Sequence, residues 1–252
     1  MTFHVSRTDA RFLGIDACPG GWACVARHVD DSLSVDFSEA LEPLLDRHPA
    51  CTIGIDIPIG LPDGTTGIEP GIRQCDKLAR KLLGFPRSTS IFSAPVRPLL
   101  DIDDKDIVKS HQEASAITMA ISNRKVTRQT MNILPRIREV DGLLQQSSGL
   151  SARMSEVHPE LVFMEMNGKP IAESKHSAEG RARRLKCLHD VFGSDAVESC
   201  IEMIDGTPIK LDDLMDASAC CWSAGRIGRG THHALPSNPE LDSTGLPMTI
   251  SY

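Results

Sequence analysis

The chain has 252 residues, of which 40% are hydrophobic, and a formal net charge of −7 at pH 7. The apolar content is enough for a sizeable core, and the negative charge argues against a protein that coats nucleic acid through a basic surface. The first ten residues lack the apolar stretch of a signal peptide, and no run is long enough to span a bilayer. The composition therefore predicts an ordinary globular protein of the cytoplasm.

The eight cysteines do not follow a disulfide or zinc pattern. They are scattered, and the adjacent pair Cys220-Cys221 lacks the two-residue spacing of a zinc knuckle. Most of them lie among Ala, Val and Ile, where a free cysteine behaves as a small apolar side chain. We therefore expect neither a structural zinc ion nor a catalytic thiol.

The start of the chain predicts the element order β-β-β-α-β. Apolar runs separated by turn residues indicate strands, and an apolar stripe behind a serine cap indicates a helix. The predicted elements are strands at 11–16, 22–28 and 33–37, a helix at 38–48 and a strand at 51–57. A meander followed by a helix that crosses back to a parallel strand resembles the opening of the ribonuclease H fold. In that fold the fourth strand lies beside the first.

The rest of the chain predicts mostly helices, with one more strand. Residues 156–163 indicate a fifth strand, which Pro159 confines to an edge because proline cannot donate to the ladder. Helices are expected at 73–85, 104–122, 135–144, 177–192 and 210–227. Pro135 is placed to start its helix, and the last helix is rich in small residues that would let it pack closely on the sheet.

Together these elements predict one α/β domain over residues 11–252, after a disordered tail at 1–10. We expect a ribonuclease H-like fold, with a five-stranded mixed sheet, flanking helices and a helical insertion at about 63–150.

Four aspartates are the candidate metal ligands. Asp16 and Asp56 each end an apolar strand, and Asp213 and Asp216 stand three residues apart on one helix face. A carboxylate beside a buried strand is costly unless it is paired or holds a cation, and Mg²⁺ and Mn²⁺ prefer oxygen ligands. The pattern predicts a carboxylate-lined Mg²⁺ or Mn²⁺ site. The alternative is that these aspartates only cap turns or the first turn of a helix.

Further charged side chains could complete such a site. Glu156, His158 and Glu160 would share one face of the fifth strand, where Glu160 could add a metal ligand or act as a general base. The alternative is that they are ordinary charges on an exposed edge strand. Three basic side chains could contact phosphate, although surface exposure explains each of them alone: Arg73, Lys175 and Arg184.

Eight ordered motifs resemble the domain-of-unknown-function family 429. They are GIDACPGGW (14–22), IDIPIGLP (55–62), RQCDKLARKLLG (73–84), SIFSAPVRP (90–98), ILPRIREVD (133–141), EVHPELVF (156–163), SKHSAEGRARRL (174–185) and DDLMDA (212–217). The resemblance implies a ribonuclease H-like fold and a predicted nuclease. The GID opening and the last motif also resemble Holliday-junction resolvases, in which the residue at the position of Asp56 is usually glutamate.

The expected function is divalent-metal-dependent hydrolysis of phosphodiester bonds, with Asp16, Asp56, Asp213 and Asp216 as metal ligands. The substrate would be a nucleic acid or another phosphodiester, no membrane partner is expected, and a homodimer remains open. One alternative is an ATP-dependent phosphotransferase of the actin/sugar-kinase type. The other is a non-catalytic binding module on the same fold.

Overall fold

The computed structural model describes residues 9–65, 69–102 and 107–252. Contacts divide the chain into two compact units. Unit 1 consists of the chain up to Ile57, Ala152–His233 and Ser251–Tyr252, and unit 2 consists of Pro58–Ser151 and Ala234–Ile250. Unit 2 therefore contains the described part of the segment that the sequence predicts as a helical insertion.

The elements are numbered in chain order. The strands are β1 (Ala10–Cys18), β2 (Gly21–His28), β3 (Leu33–Ser38), β4 (Thr52–Ile55), β5 (Met154–Glu156), β6 (Ala234–Leu235) and β7 (Ile250–Ser251). The helices are α1 (Leu41–Asp46), α2 (Gln74–Leu83), α3 (Ile107–Ser122), α4 (Arg128–Gln146), α5 (Ser148–Ser151), α6 (Pro159–Asn167), α7 (Ala178–Phe192), α8 (Ser194–Met203) and α9 (Leu211–Gly228). Most of the predicted tail lies outside the described residues, and Ala10 already belongs to β1.

Unit 1 is built on a five-stranded mixed sheet with the order β3-β2-β1-β4-β5. Strands β1, β2 and β3 form the predicted antiparallel meander. Strand β4 is parallel to β1, with Gly14 opposite Gly54, and β5 is parallel to β4. The α/β class and the pairing of the first and fourth strands are therefore confirmed, and Asp16 and Asp56 lie at the same end of neighbouring strands.

Helix α9 packs tightly on the middle of this sheet. A Cβ atom placed on Gly14 would lie 1.9 Å from the Ala217 carbonyl oxygen, and one on Gly54 would lie 2.6 Å from the Cys220 carbonyl oxygen. Only glycine fits at both places, and the small residues of the helix bring its backbone down to the strands. The predicted close packing of this helix is confirmed, and it carries Asp216 across the ends of β1 and β4.

The predicted fifth strand is wrong over most of its length. Only Met154–Glu156 forms a strand, and Pro159 begins helix α6. Proline suits the first helical position because its fixed φ matches the helix and its missing N–H has no helical partner there. His158 caps the helix, since its Nδ1 accepts from the Glu160 N–H at 3.3 Å. Glu156, His158 and Glu160 therefore do not share one face of a strand.

Two helix predictions also need correction, and one helix was not predicted. Helix α1 begins at Leu41, and Ala40 rather than a serine precedes it. Helix α4 begins at Arg128 behind the N-cap Thr127, so Pro135 lies inside it. Helix α8 is absent from the sequence-based assignment. The predicted helix at 104–122 is observed from Ile107, and its first residues lie outside the described ranges.

Within unit 2, buried ion pairs connect segments that are distant in sequence. Arg97 bonds both to Asp141 of α4 and to Asp242. An apolar cluster that includes Leu99, Ala114 and Leu134 fills the space between the helices. In the described ranges of both units, no helix has the length and apolar character needed to cross a membrane.

Candidate functional site

Three carboxylates of unit 1 interact where β1, β4 and α9 meet. Asp16 lies near the end of β1, Asp56 directly follows β4, and Asp216 lies in α9. Asp16 and Asp216 are 8% and 4% exposed. The charges of Asp56 and Asp216 both act on Asp16, so the three side chains form one electrostatic cluster, which we call the carboxylate cluster.

Burial and the negative charge of nearby carboxylates raise the pKa of each member of this cluster, and for Asp56 that neighbouring charge is Glu160. Burial is the largest cause for Asp16, followed by the charges of Asp56 and Asp216, and its pKa lies well above the usual value. Burial raises the pKa of Asp56 to about 7, although Lys175 opposes the shift. Burial likewise raises the pKa of Asp216 to about 6. The cluster therefore lacks enough positive charge to keep all three groups ionised at neutral pH.

Lys175 supplies a positive charge to the cluster. Its Nζ lies 2.5 Å from Asp216 Oδ2, and its side chain is 35% exposed. Burial works against the ammonium form, but Asp216 and then Asp16 and Asp56 outweigh it and raise the pKa of Lys175. The lysine remains charged over the physiological range, so the cluster and Lys175 together carry excess negative charge once the carboxyls ionise.

The segment that carries Lys175 is held in place from both ends. Arg184 Nη1 donates to the Glu173 carbonyl oxygen at 3.2 Å and to the Gly180 carbonyl oxygen at 2.9 Å. A Cβ on Gly180 would lie 2.0 Å from the Ser174 carbonyl oxygen, so glycine is required for this close approach. The loop thus presents Lys175 to the cluster from a defined position.

Glu160 and Arg184, expected as a catalytic group and a phosphate ligand, are engaged with each other. Arg184 Nη2 donates to Glu160 Oε1 at 2.7 Å and to Oε2 at 2.8 Å. The Arg184 side chain is fully buried, and that of Glu160 is 8% exposed. Because the guanidinium has no access to solvent, it does not present itself to a phosphate. The structure gives this pair a role in positioning the Lys175 loop.

Arg73 lies in unit 2 and is also an internal residue. Its side chain is 2% exposed, and its Nη2 lies 2.6 Å from Asp76 Oδ1. Its Nη1 donates to the carbonyl oxygens of Ile59 and Gly60. These contacts fold the segment before α2 onto the helix, and they correct the expectation that Arg73 contacts phosphate.

The acidic residues at the start of α9 have separate roles. Asp213 Oδ2 accepts from the Lys210 N–H at 3.0 Å, which caps the helix. Asp212 pairs with His176 and Arg181. Asp213 therefore has the capping role of the alternative interpretation. Burial also raises its pKa, and its charge contributes to the raised pKa of Asp16.

In the part of the chain that the structure describes, no three His, Cys, Asp or Glu side chains are already arranged to hold a metal ion. The donor type of the cluster nevertheless suits Mg²⁺ or Mn²⁺, because all three members offer carboxylate oxygens and their pKa values reveal uncompensated negative charge. The chemistry of the cluster fits such an ion, whereas its side chains are not arranged as a ready-made ligand shell.

A family model described as "Protein of unknown function (DUF429)" matches residues 14–241. The chain belongs to this family. No curated protein and no solved structure matches the chain. Membership of DUF429 confirms the family indicated by the eight sequence motifs, and it brings no established activity with it.

Sequence reasoning missed the internal partners of the charged residues in this DUF429 protein. Glu160 and Arg184 are 24 positions apart, and Lys175 and Asp216 are 41 positions apart. No helical or strand period connects residues at such separations. The one local signal was Gly180, because a glycine near the start of a predicted helix indicates a close backbone approach.

Proposed function

We propose that this protein is a divalent-metal-dependent hydrolase of phosphodiester bonds with a ribonuclease H-like fold. The observation that carries the proposal is the carboxylate cluster, Asp16, Asp56 and Asp216, whose three pKa values are all raised by burial and repulsion. Carboxyls with strongly raised pKa values are concentrated at functional sites, and sites in α/β sheets commonly lie at the carboxyl ends of parallel strands, where these three meet.

The fold supports the proposal through its topology. In a ribonuclease H fold the fourth strand lies beside the first and the fifth strand lies at the edge, and the order β3-β2-β1-β4-β5 has both features. Carboxylates from the first strand, the end of the fourth strand and the last helix would then form the metal site. Asp16, Asp56 and Asp216 occupy these three places.

The three carboxylates would hold one or two Mg²⁺ or Mn²⁺ ions. A bound ion of this kind supplies a Lewis acid and an activated water for attack on phosphorus. Lys175 would contact a phosphate oxygen of the substrate from its position beside Asp216, and Arg184 and Glu160 would keep its loop in place. Asp56 would have to lose its proton before it could act as a ligand, because its pKa is about 7.

A hydrolysis assay tests the proposal directly. Purified protein with Mn²⁺ should cleave at least one substrate from a panel of single-stranded, duplex and branched DNA, RNA and model phosphodiesters. Asp16→Asn should abolish cleavage without unfolding the protein, because asparagine keeps the size but removes the charge that holds a cation. Asp190→Asn is the matched control, since Asp190 pairs with exposed Lys186 outside the cluster.

A non-catalytic binding module is the second candidate function. It is favoured by the Lys175–Asp216 ion pair, which gives the cluster an internal cation, and by the lack of a ready-made ligand shell among the described residues. If every substrate in the panel survives with Mn²⁺ and with Mg²⁺, hydrolysis is wrong and this second function takes its place. The ATP-dependent phosphotransferase remains untested, and no observation favours it.

A further inference from the structure

A cavity of about 730 Å³ lies at the β3 edge of the sheet, and the proposed hydrolysis does not involve it. Its volume falls in the range of small-molecule sites, which are roughly 300–1,000 Å³. It is lined by the second half of β3 and the residues after it, by Pro43 of α1 and the following Arg47, and by the end of α8 with the segment that leads to α9. All these residues belong to unit 1.

The free edge of β3 offers backbone donors and acceptors to this cavity. The His28 N–H donates to the Ser32 carbonyl oxygen, and this bond shows which pairs of residues between β2 and β3 are hydrogen-bonded to each other. Bonded and non-bonded pairs alternate in an antiparallel ladder. With Val25 opposite Val35 and Ala23 opposite Phe37, both β3 residues are therefore at non-bonded positions. Their N–H and C=O groups point away from β2, toward the open edge.

One of these outward backbone groups, the Phe37 N–H, already has a hydrogen-bond partner. The Phe37 N–H donates to Asp36 Oδ1 at 2.8 Å, and Asp36 Oδ2 accepts from Arg47 Nε at 2.8 Å. Adding a strand here would require both the Val35 and the Phe37 positions, so this contact protects the edge against strand pairing. Among residues 9–65, 69–102 and 107–252, no partner bonds to the Val35 N–H and C=O, which leaves one adjacent donor and acceptor pair that suits a small molecule.

The two walls suit a flat ligand. On one side, Val35 and Phe37 pack with Ile209 in an apolar cluster, and Met203 adds a further apolar surface. On the other side, Arg47 Nη1 donates to the Pro43 carbonyl oxygen, so the guanidinium plane is held in place by Pro43 and Asp36. A fixed guanidinium plane stacks on planar rings, and its charge is balanced by Asp36.

We propose that this cavity binds a neutral, planar heteroaromatic molecule of the nucleobase type. The ring would lie between the apolar wall and the guanidinium plane of Arg47. Its donor would bond to the Val35 carbonyl oxygen, and its neighbouring acceptor would bond to the Val35 N–H. Purines such as adenine carry a donor and an acceptor side by side on one edge and have no charge at neutral pH, so adenine is a suitable probe.

Titration of the ¹⁵N-labelled protein with adenine tests the proposal. Saturable chemical-shift changes should appear at Val35, Phe37 and Thr207, in EDTA and equally in Asp16→Asn, because the cavity is independent of the carboxylate cluster. N6,N6,9-Trimethyladenine lacks every N–H donor of adenine and should bind about tenfold more weakly or worse. The proposal is overturned if no saturable change occurs up to about 5 mM adenine, or if both compounds bind equally.

Two pairs of variants locate the site. Val35→Pro removes the outward N–H and should weaken adenine binding at least about tenfold. Leu33→Pro removes the equivalent edge N–H outside the cavity lining and should leave binding unchanged. If the proline variants do not fold, Met203→Glu should weaken binding by placing a charge on the apolar wall. Met119→Glu is its control, since the two methionines are 41% and 38% exposed. Equal effects within either pair would overturn the assignment.

Discussion

The Lys175 ammonium lies 2.5 Å from Asp216 Oδ2 and is the one cation bonded to the carboxylate cluster among the described residues. Lys175 lowers the pKa values of all three cluster members against the larger effect of burial. The ion pair therefore joins the segment 173–180 to the ends of strands β1 and β4.

Replacing Lys175 by methionine should destabilise the protein more at pH 8 than at pH 5. Without the ammonium, the ionised carboxyls repel one another at pH 8. At pH 5 most of these carboxyls are protonated, so the variant loses less stability. We expect a loss of about 1–2 kcal/mol at pH 8, reduced by the partial exposure of the lysine. Urea unfolding at both pH values measures it. Lys186→Met removes an exposed pair with Asp190 and should change neither value.

Asp56→Asn should stabilise the metal-free protein at high pH. The folded pKa of about 7 lies above the ordinary value of about 3.9, so the wild-type carboxyl lowers stability as pH rises from about 4 to 7. The variant should match wild type near pH 4 and exceed it by up to about 4 kcal/mol at pH 8. Equal stability curves across this window would show that Asp56 titrates normally.

Mn²⁺ should raise the melting temperature at pH 8 and much less at pH 5.5. A ligand that binds only the folded state stabilises it by mass action, and the carboxyls must lose their protons before they bind a cation. Since the pKa values of Asp56 and Asp216 are about 7 and about 6, binding should weaken as pH falls through this range. Thermal scans with Mn²⁺ and with EDTA decide the point, and Asp16→Asn should lose the shift. An unchanged melting temperature in millimolar Mn²⁺ at pH 8 contradicts the metal site.

Arg184→Met should cost about 3–5 kcal/mol, because it leaves the Glu160 carboxylate buried without its partner. The double variant Arg184→Met/Glu160→Leu should recover much of this loss, since it removes both buried charges. Chemical denaturation of the wild type, both single variants and the double variant gives the coupling energy. If Arg184→Met instead leaves stability unchanged and only weakens substrate binding, the assigned structural role is wrong.

Gly14→Ala should destabilise the protein by about 3 kcal/mol or more, because the new methyl group would lie 1.9 Å from the Ala217 carbonyl oxygen. Gly142→Ala is the matched control in helix α4, where nothing lies within 4 Å of the added Cβ. Alanine should stabilise that helix by about 0.5–1 kcal/mol. Similar stability of the two variants would contradict the close packing of α9 on β1.

The sequence by itself determined the meander, the pairing of β4 with β1 and the small-residue helix α9. The elements follow from local periodicity and turn residues, which act over a few positions. The pairing of β4 with β1 follows from the resemblance of the element order to the ribonuclease H fold. They were enough to bring Asp16 and Asp56 to one end of neighbouring strands. The sequence motifs likewise indicate the family to which the chain belongs.

Only the tertiary structure decided what each charged side chain does. Asp213 and Asp216 look equivalent in the sequence, but one caps α9 and the other joins the carboxylate cluster. Lys175 and Arg184 are both basic residues that the sequence offers as phosphate contacts, yet Lys175 bonds to Asp216 of the carboxylate cluster and Arg184 is buried against Glu160. The partner of a charged residue depends on which distant segment packs beside it, because burial and charge separation are set by the whole fold and not by neighbours in sequence.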